Sequence, residues 1–373
     1  MCLITPFALL DCLVKNLLSC YRGVKNKTGS FVSRLWLTTA LNMRFIMMII
    51  GLFGFVGIQA YADPLLLEYR LNDFSVDAYR LAVERLIAAY EHRSGFKLVP
   101  GSKKKIGLKL DTLMGPGLST PHALTEAVID CLRQRGFDTQ NIIIFDLNRA
   151  QLRAAGYLPA LSEGGPSVFK NCVVWAIEDD QVHHPKWFYE NSLPSPIPLR
   201  LEGKTWEQMM EAIHESKRSY LPIKIFLDVD GWINLPVIKE HPSIGIMGAL
   251  GNASLQNVTN YRRFLKSPAV GPIAIAEICA IPELRQPWVF TLISLEHYQY
   301  LGGLKFASQY TASEPLLWLS DDPVWIDYLA LKRINFHRQQ AGFELYLDKS
   351  PLFEAAQSVQ LGTIQKGKKM ILK

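Results

Sequence analysis

Three short stretches of the chain hold the residue types that could do chemistry. The first runs from Lys109 through Gly115-Pro116-Gly117-Leu118-Ser119-Thr120 to Pro121. A lysine closing a short apolar strand, then a glycine turn and a helix start, offers an ammonium group, free backbone N–H groups and the Ser119 and Thr120 hydroxyls to an anion. Gly115 and Gly117 would let the backbone approach such a ligand. An ordinary capped helix after a glycine turn accounts for the same residues. No Gly-Lys-Ser/Thr follows, so this is not a Walker loop. The second stretch is Ile-Asn-Leu-Pro-Val-Ile-Lys-Glu-His, residues 233–241, followed by the small-residue segment 245–252 that ends in Asn252. An apolar strand that stops at Pro236 would present Lys239 and His241 on one loop. A desolvated lysine is a base or a Schiff-base nucleophile, and histidine exchanges a proton near neutral pH or ligates a metal. Both also suit a plain surface loop. The third stretch is Asp322-Pro323-Val324-Trp325-Ile326-Asp327. Asp322 fits the N-cap of a helix, and Asp327, about a turn later, is a candidate functional carboxylate.

The elements that must position these residues follow from periodicity. Apolar spacing predicts a helix over residues 76–92 and a strand over 104–110. After a loop over 111–120, Thr120 as N-cap and Pro121 at the first helical position predict a helix to about Arg135, stopped by Gly136. A strand over 141–146 and a short helix over 149–155 complete one β-loop-α-β unit. Further strands are expected at 167–177, 224–229, 231–235, 288–294 and 316–320, with helices at 206–219, from Asp322-Pro323 to about Gln340, and from Ser350-Pro351. Residues 185–201 are proline-rich and read as irregular, and the basic tail 366–373 reads as frayed. Alternation of strand and helix predicts an α/β fold, a mostly parallel open sheet of Rossmann-like kind flanked by helices. In such a sheet, ligands bind beyond the carboxyl ends of the strands.

The start of the chain changes what charge and cysteine content mean. Arg44, an apolar run over 45–58 and Ala60-Tyr61-Ala62 have the order of a cleavable secretory signal over residues 43–62. The run is too short for a spanning helix, which needs roughly 20 apolar residues. Residues 1–42 then read as an upstream extension or leader, and 63–373 as a single α/β domain of an exported, periplasmic or secreted protein. Residues 1–62 carry six Lys or Arg and one Asp, so the formal +6 of the whole chain falls to +1 beyond Ala62. Near-neutral charge and the lack of a basic helix face argue against a nucleic-acid partner. Of the six cysteines, Cys131, Cys172 and Cys279 remain. Their wide spacing excludes a CxxC pair, a zinc pattern and an iron–sulfur run, and leaves one disulfide or buried free thiols open.

The motif Lys-Leu-Asp, then Gly-Pro-Gly-Leu-Ser-Thr-Pro-His-Ala-Leu-Thr-Glu-Ala-Val-Ile-Asp, resembles the N-terminal motif of the bacterial domain of unknown function 362 family. Residues 233–241, the Gly-Ala-Leu-Gly-Asn turn and Asp-Pro-Val-Trp-Ile-Asp resemble its later motifs in the same order. The resemblance spans about residues 104–342. It departs from the family at Gly251, where a lysine is usual before Asn252, and this chain lacks the ferredoxin-like cysteine clusters of some members. The resemblance implies the fold above and fixes no reaction. The expectation from the residues is one anion-accepting cleft, with Lys109, Gly115, Gly117, Ser119, Thr120 and Asn252 binding a carboxylate or phosphate and Lys239, His241 and Asp327 acting catalytically. No metal ligands are assigned and the cofactor is left open. The alternative is a non-catalytic accessory protein that captures a small ligand or metal outside the cytoplasm.

Overall fold

Alternation of side chains decides how the sheet is covered. In strand β1 (Leu65–Arg70), Leu65 and Leu67 point into one apolar core while Leu66 points into another. The computed structural model describes residues 63–162, 164–178, 182–347, 350–365 and 367–372. The proposed signal and the segment upstream of it lie outside them.

Among the described residues the main sheet has nine strands, in the order β15-β1-β14-β11-β8-β2-β3-β5-β4. They are β2 (Ile106–Lys109), β3 (Ile142–Asp146), β4 (Val168–Phe169), β5 (Cys172–Ala176), β8 (Gly231–Asn234), β11 (Trp288–Ser294), β14 (Leu316–Ser320) and β15 (Lys368–Leu372), with β1 already given. Strands β2, β3, β5, β8 and β11 pair in parallel, whereas β14 runs against β11 and β1, and β4 against β5. The fold is therefore α/β, with a large, mostly parallel mixed sheet. Helices α1 (Val76–Ser94), α2 (His122–Gln134) and α3 (Arg149–Ala154) supply Tyr79, Leu86, Val128 and Leu152 to the core on one face. Helices α5 (Ile223–Asp228), α6 (Ala249–Ala253), α7 (Gly271–Cys279), α8 (Pro282–Arg285), α9 (Pro323–Gln340) and α10 (Pro351–Ser358) cover the other, around Trp232, Phe145 and Trp318. Helix α4 (Trp206–Glu215) lies outside both cores. A two-stranded ribbon joins β6 (Phe188–Glu190) to β7 (Arg218–Tyr220). A small sheet orders β10 (Gly245–Met247), β9 (Lys239–His241), β12 (Tyr298–Gln299) and β13 (Thr311–Ala312) side by side.

The expected strands at 288–294 and 316–320 have those bounds, and Asp322 caps α9 by accepting from Val324 N at 2.9 Å and Trp325 N at 2.8 Å. Five expectations need correction. Residues 224–229 are helix α5, because Ile223, Ile225 and Phe226 bury one short face, and a brief apolar run looks alike as strand or helix. The strand expected over 167–177 is a hairpin, broken where Lys170 and Asn171 both take positive φ (48° and 65°). The helix from Trp206 stops at Glu215, and residues 218–220 pair instead with β6, inside the stretch read as irregular. Helix α2 starts one residue late, at His122 with Pro121 at the N-cap position, because the Thr120 hydroxyl is used elsewhere. The tail is not frayed, since β15 adds to the sheet edge alongside β1. Cys131, Cys172 and Cys279 are free and buried.

Candidate functional site at the carboxyl end of the sheet

Strand β2 carries its apolar residues into the cores and ends in a residue no core wants uncompensated. Lys109 is completely buried. Its Nζ donates to the Asp146 carboxylate, to Leu110 O at 2.6 Å and to Asn252 Oδ1 at 3.0 Å, which uses all three ammonium hydrogens. Asp146 ends the neighbouring parallel strand β3, and its other oxygen accepts from Thr112 N at 2.7 Å and Thr112 Oγ1 at 2.6 Å. Two residues beyond Lys109, Asp111 takes the second buried lysine. Lys239 Nζ donates to Asp111 Oδ2 and to Val237 O at 3.1 Å, and the same carboxylate oxygen accepts from Val237 N at 3.2 Å. Both pairs have side-chain exposures of 1% or less. The two buried lysines are thus held by acids at, or just past, the carboxyl ends of β3 and β2.

A line of amides joins this centre to Asp327. Asn252 Nδ2 donates to Asn234 Oδ1 at 2.8 Å, and Asn234 Nδ2 to Ala249 O at 2.9 Å. Ala249 N and Leu250 N, the opening amides of α6, then donate to the two oxygens of Asp327 at 2.6 and 2.9 Å. Gly248 is required beside them, because a Cβ there would overlap the Asp327 carboxylate. Burial drives the Asp327 pKa up to about 7 against those two backbone bonds and Lys239. Burial likewise pulls Lys109 down, opposed by Asp146.

His241 lies two residues along β9 from Lys239, on the same side of the strand, and its Nδ1 accepts from Ser243 N at 3.3 Å. Burial, then the Lys239 charge, lowers its pKa to about 4, so the ring is neutral at pH 7. The loop expected to present Lys239 and His241 is in fact this buried strand. Between them, Glu240 faces the other way and accepts from Tyr346 OH and from Gly303 N at 2.8 Å.

The glycine loop departs most from expectation. It closes on itself as a 3-10 turn over Gly115–Gly117. Gly115 N donates to Thr112 O at 3.0 Å, Leu118 N to Gly115 O at 3.3 Å and Thr120 N to Asp111 O at 2.9 Å. The Ser119 hydroxyl donates to Gly115 O, and that of Thr120 donates to Leu235 O at 2.6 Å while accepting from Asp111 N at 2.9 Å. These groups are committed to the fold and do not form an open anion cradle. Thr120 still belongs to the centre, because it fixes Asp111. Gly115, Gly117 and Ser119 are half-buried in the loop itself.

The sequence reading missed Asp111, Asp146, Thr112, Asn234 and Glu240. Asp111 and Asp146 had a usable signal: each is an acid at or just past the carboxyl end of a strand that is otherwise apolar. Asn252 and Asn257, which begin glycosylation-type triplets, are both completely buried and out of reach of such a modification. Among the described residues, no group of three or more His, Cys, Asp or Glu is placed to hold a metal ion.

No family model matches the chain, and no curated protein matches it either. A crystal structure of a Thermotoga maritima protein from a structural-genomics consortium is similar at a TM-score of 0.39 and 10% identity. The similarity covers 71% of this chain and 59% of that one, so the chain spans less than two thirds of the length of the protein it matches.

Proposed function

We propose that the carboxyl end of the sheet is the active site of an exported enzyme acting on a small anionic substrate, a carboxylate or a phosphate. One observation carries this reading: two fully buried lysine–aspartate pairs meet where parallel strands end. Removing four charges from water costs several kcal/mol per ion, and such pairs are often no more stable than apolar replacements of the same volume. Buried ion pairs at a position where α/β sheets bind ligands are therefore better explained by chemistry than by stability. In this reading Lys239 meets the anion by exchanging its Asp111 partner, and neutral His241 moves the proton. Lys109, held by Asp146 and Asn252, sustains the positive field. Asp327 is a positioning residue, because both of its oxygens fix α6. The motif resemblance to the domain of unknown function 362 family supports the same placement, and export rests on the pattern over residues 43–62.

A thermal-shift and calorimetric screen of the wild-type protein against small carboxylates and phosphates tests the site. At least one anion should stabilise the wild type, bind more weakly to Lys239→Met, and bind but not turn over in His241→Gln. Binding of that anion unchanged in Lys239→Met would remove the site. Equal binding with no turnover in the wild type would favour the accessory role. Export is tested separately by N-terminal sequencing of the secreted product, which should begin at Asp63; a product that keeps residues 45–58 overturns it.

A further inference from the structure

Lys239 and Asp111 are sealed from solvent, so a ligand that reaches them needs a door. The seal has a definite composition. Met114 and Leu118 from the glycine loop form a small apolar cluster with Val237, and Leu304 packs both against it and against the larger core around Trp232 and Phe145. Val237 is also the residue whose backbone N–H and carbonyl hold Asp111 and Lys239. Next to this cluster the Phe306 ring lies on Gly117 so closely that a Cβ at position 117 would overlap it. Phe306 is nevertheless 45% exposed, so its ring covers the glycine loop without being part of a core.

The backbone of the segment carrying Leu304 and Phe306 is held by two side chains, those of Glu240 and Gln299. Gly303 N donates to the Glu240 carboxylate at 2.8 Å. The Gln299 side chain donates to Gly303 O at 3.1 Å and Lys305 O at 3.0 Å, and accepts from Ala307 N at 2.8 Å. Gly302 and Gly303 both take positive φ (113° and 61°), so the base of the segment turns on two adjacent glycines in a conformation other residues rarely adopt.

We propose that residues 302–307 are a gate over the Lys239–Asp111 pair, with Glu240 and Gln299 as its post, Gly302 and Gly303 as its hinge, and Phe306 on Gly117 as its latch. Opening lifts Leu304 off Val237 and Leu118 and uncovers Lys239. Lys109 stays covered, because Asp146, Leu110 and Asn252 enclose its ammonium group from other elements. The gate takes its purpose from the ligand site proposed above, but access to Lys239 can be measured with no ligand.

The test is reductive methylation of the whole protein with formaldehyde and dimethylamine–borane, followed residue by residue by peptide mass spectrometry. In the wild type, Lys109 and Lys239 should react far more slowly than the exposed Lys266. In Phe306→Ala, Lys239 should react on the order of tenfold faster, equivalent to about 1.4 kcal/mol on a local opening equilibrium, with Lys109 unchanged. Gly117→Ala should act in the same direction by displacing the ring, and Phe306→Ala alone decides the matter if that chain does not fold. An unchanged Lys239 rate in Phe306→Ala overturns the gate. So does acceleration of Lys109 in step with Lys239, which would mean general loosening. If Lys239 is unmasked as expected but no anion binds, the gate stands and the enzyme reading fails.

Discussion

Strand β2 has one lysine–aspartate pair near its start and two near its end, and the two ends treat the same chemistry in opposite ways. Just before the strand, Lys105 Nζ meets Asp228 Oδ2 at 2.6 Å with side chains 35% and 47% exposed. Beside it Asp230 accepts from Gly101 N and Lys103 N, both at 2.9 Å, and pins the incoming chain. At the far end, Lys109 with Asp146 and Lys239 with Asp111 are dry. The entering pair is solvated and screened, and its net value is about 0–1 kcal/mol. The exiting pairs carry a desolvation cost that each partner offsets only while the other is present. Pair count therefore says little here; what separates the two ends is water.

The largest expected effect breaks one dry pair. Asp146→Ala leaves Lys109 buried and uncompensated and should cost about 3–5 kcal/mol in urea unfolding. Replacing both partners, as Lys109→Met with Asp146→Leu, should recover most of that stability. If the double variant is as unstable as the single one, the pair is holding the fold together and the functional reading weakens.

An intermediate effect lies in pH. A folded Asp327 with a pKa of about 7 holds its proton more tightly than the ordinary 3.8 of an unfolded aspartate. Its contribution to stability is complete below pH 3.8 and is lost as pH rises through about 7. His241 has the opposite sign. Its folded value of about 4 lies below the ordinary 6.5, so its contribution is complete above pH 6.5 and is lost as pH falls through about 4. In melting curves from pH 3.5 to 8, Asp327→Asn should flatten the decline toward neutral pH and His241→Gln the decline toward acid. Profiles that superimpose on the wild type would show that neither group titrates as its burial implies.

The smallest effect is at the wet end. Lys105→Met should change stability by less than about 1 kcal/mol, and added salt should shrink the difference further. A loss as large as that of Asp146→Ala would mean burial is not what distinguishes the two ends.

What the sequence disclosed follows from the same distinction. Several strands of the central sheet were legible because strands buried on both faces read as unbroken apolar runs, as in residues 141–146 and 288–294, whereas β1 was not expected. Lys109 and Lys239 were legible as lysines following apolar runs, and Asn252 and Asp327 through the motifs that carry them. Their pairing was not, because Asp111 meets Lys239 across 128 residues and Asp146 meets Lys109 across 37, and one-dimensional spacing carries no sign of either contact. The glycine loop misled for a related reason. Hydroxyls and glycines ahead of a helix look the same whether they await a ligand or close on their own backbone. Strand β15 was hidden because Lys368 and Lys369 mask an edge strand, where charged residues are ordinary.

The position of β1 has a consequence for how the chain comes to be folded. Its hydrogen-bonded neighbours are β14 and β15, and Glu68 accepts from the indole of Trp318, 250 residues further along. The first strand among the described residues is thus among the last to find a partner. Until then Leu65, Leu66 and Leu67 have no sheet to enter, and closing so long a loop is intrinsically slow. This edge of the sheet therefore cannot close until residues 316–320 and 368–372 have been made, and until then three adjacent leucines lack the strands that cover them.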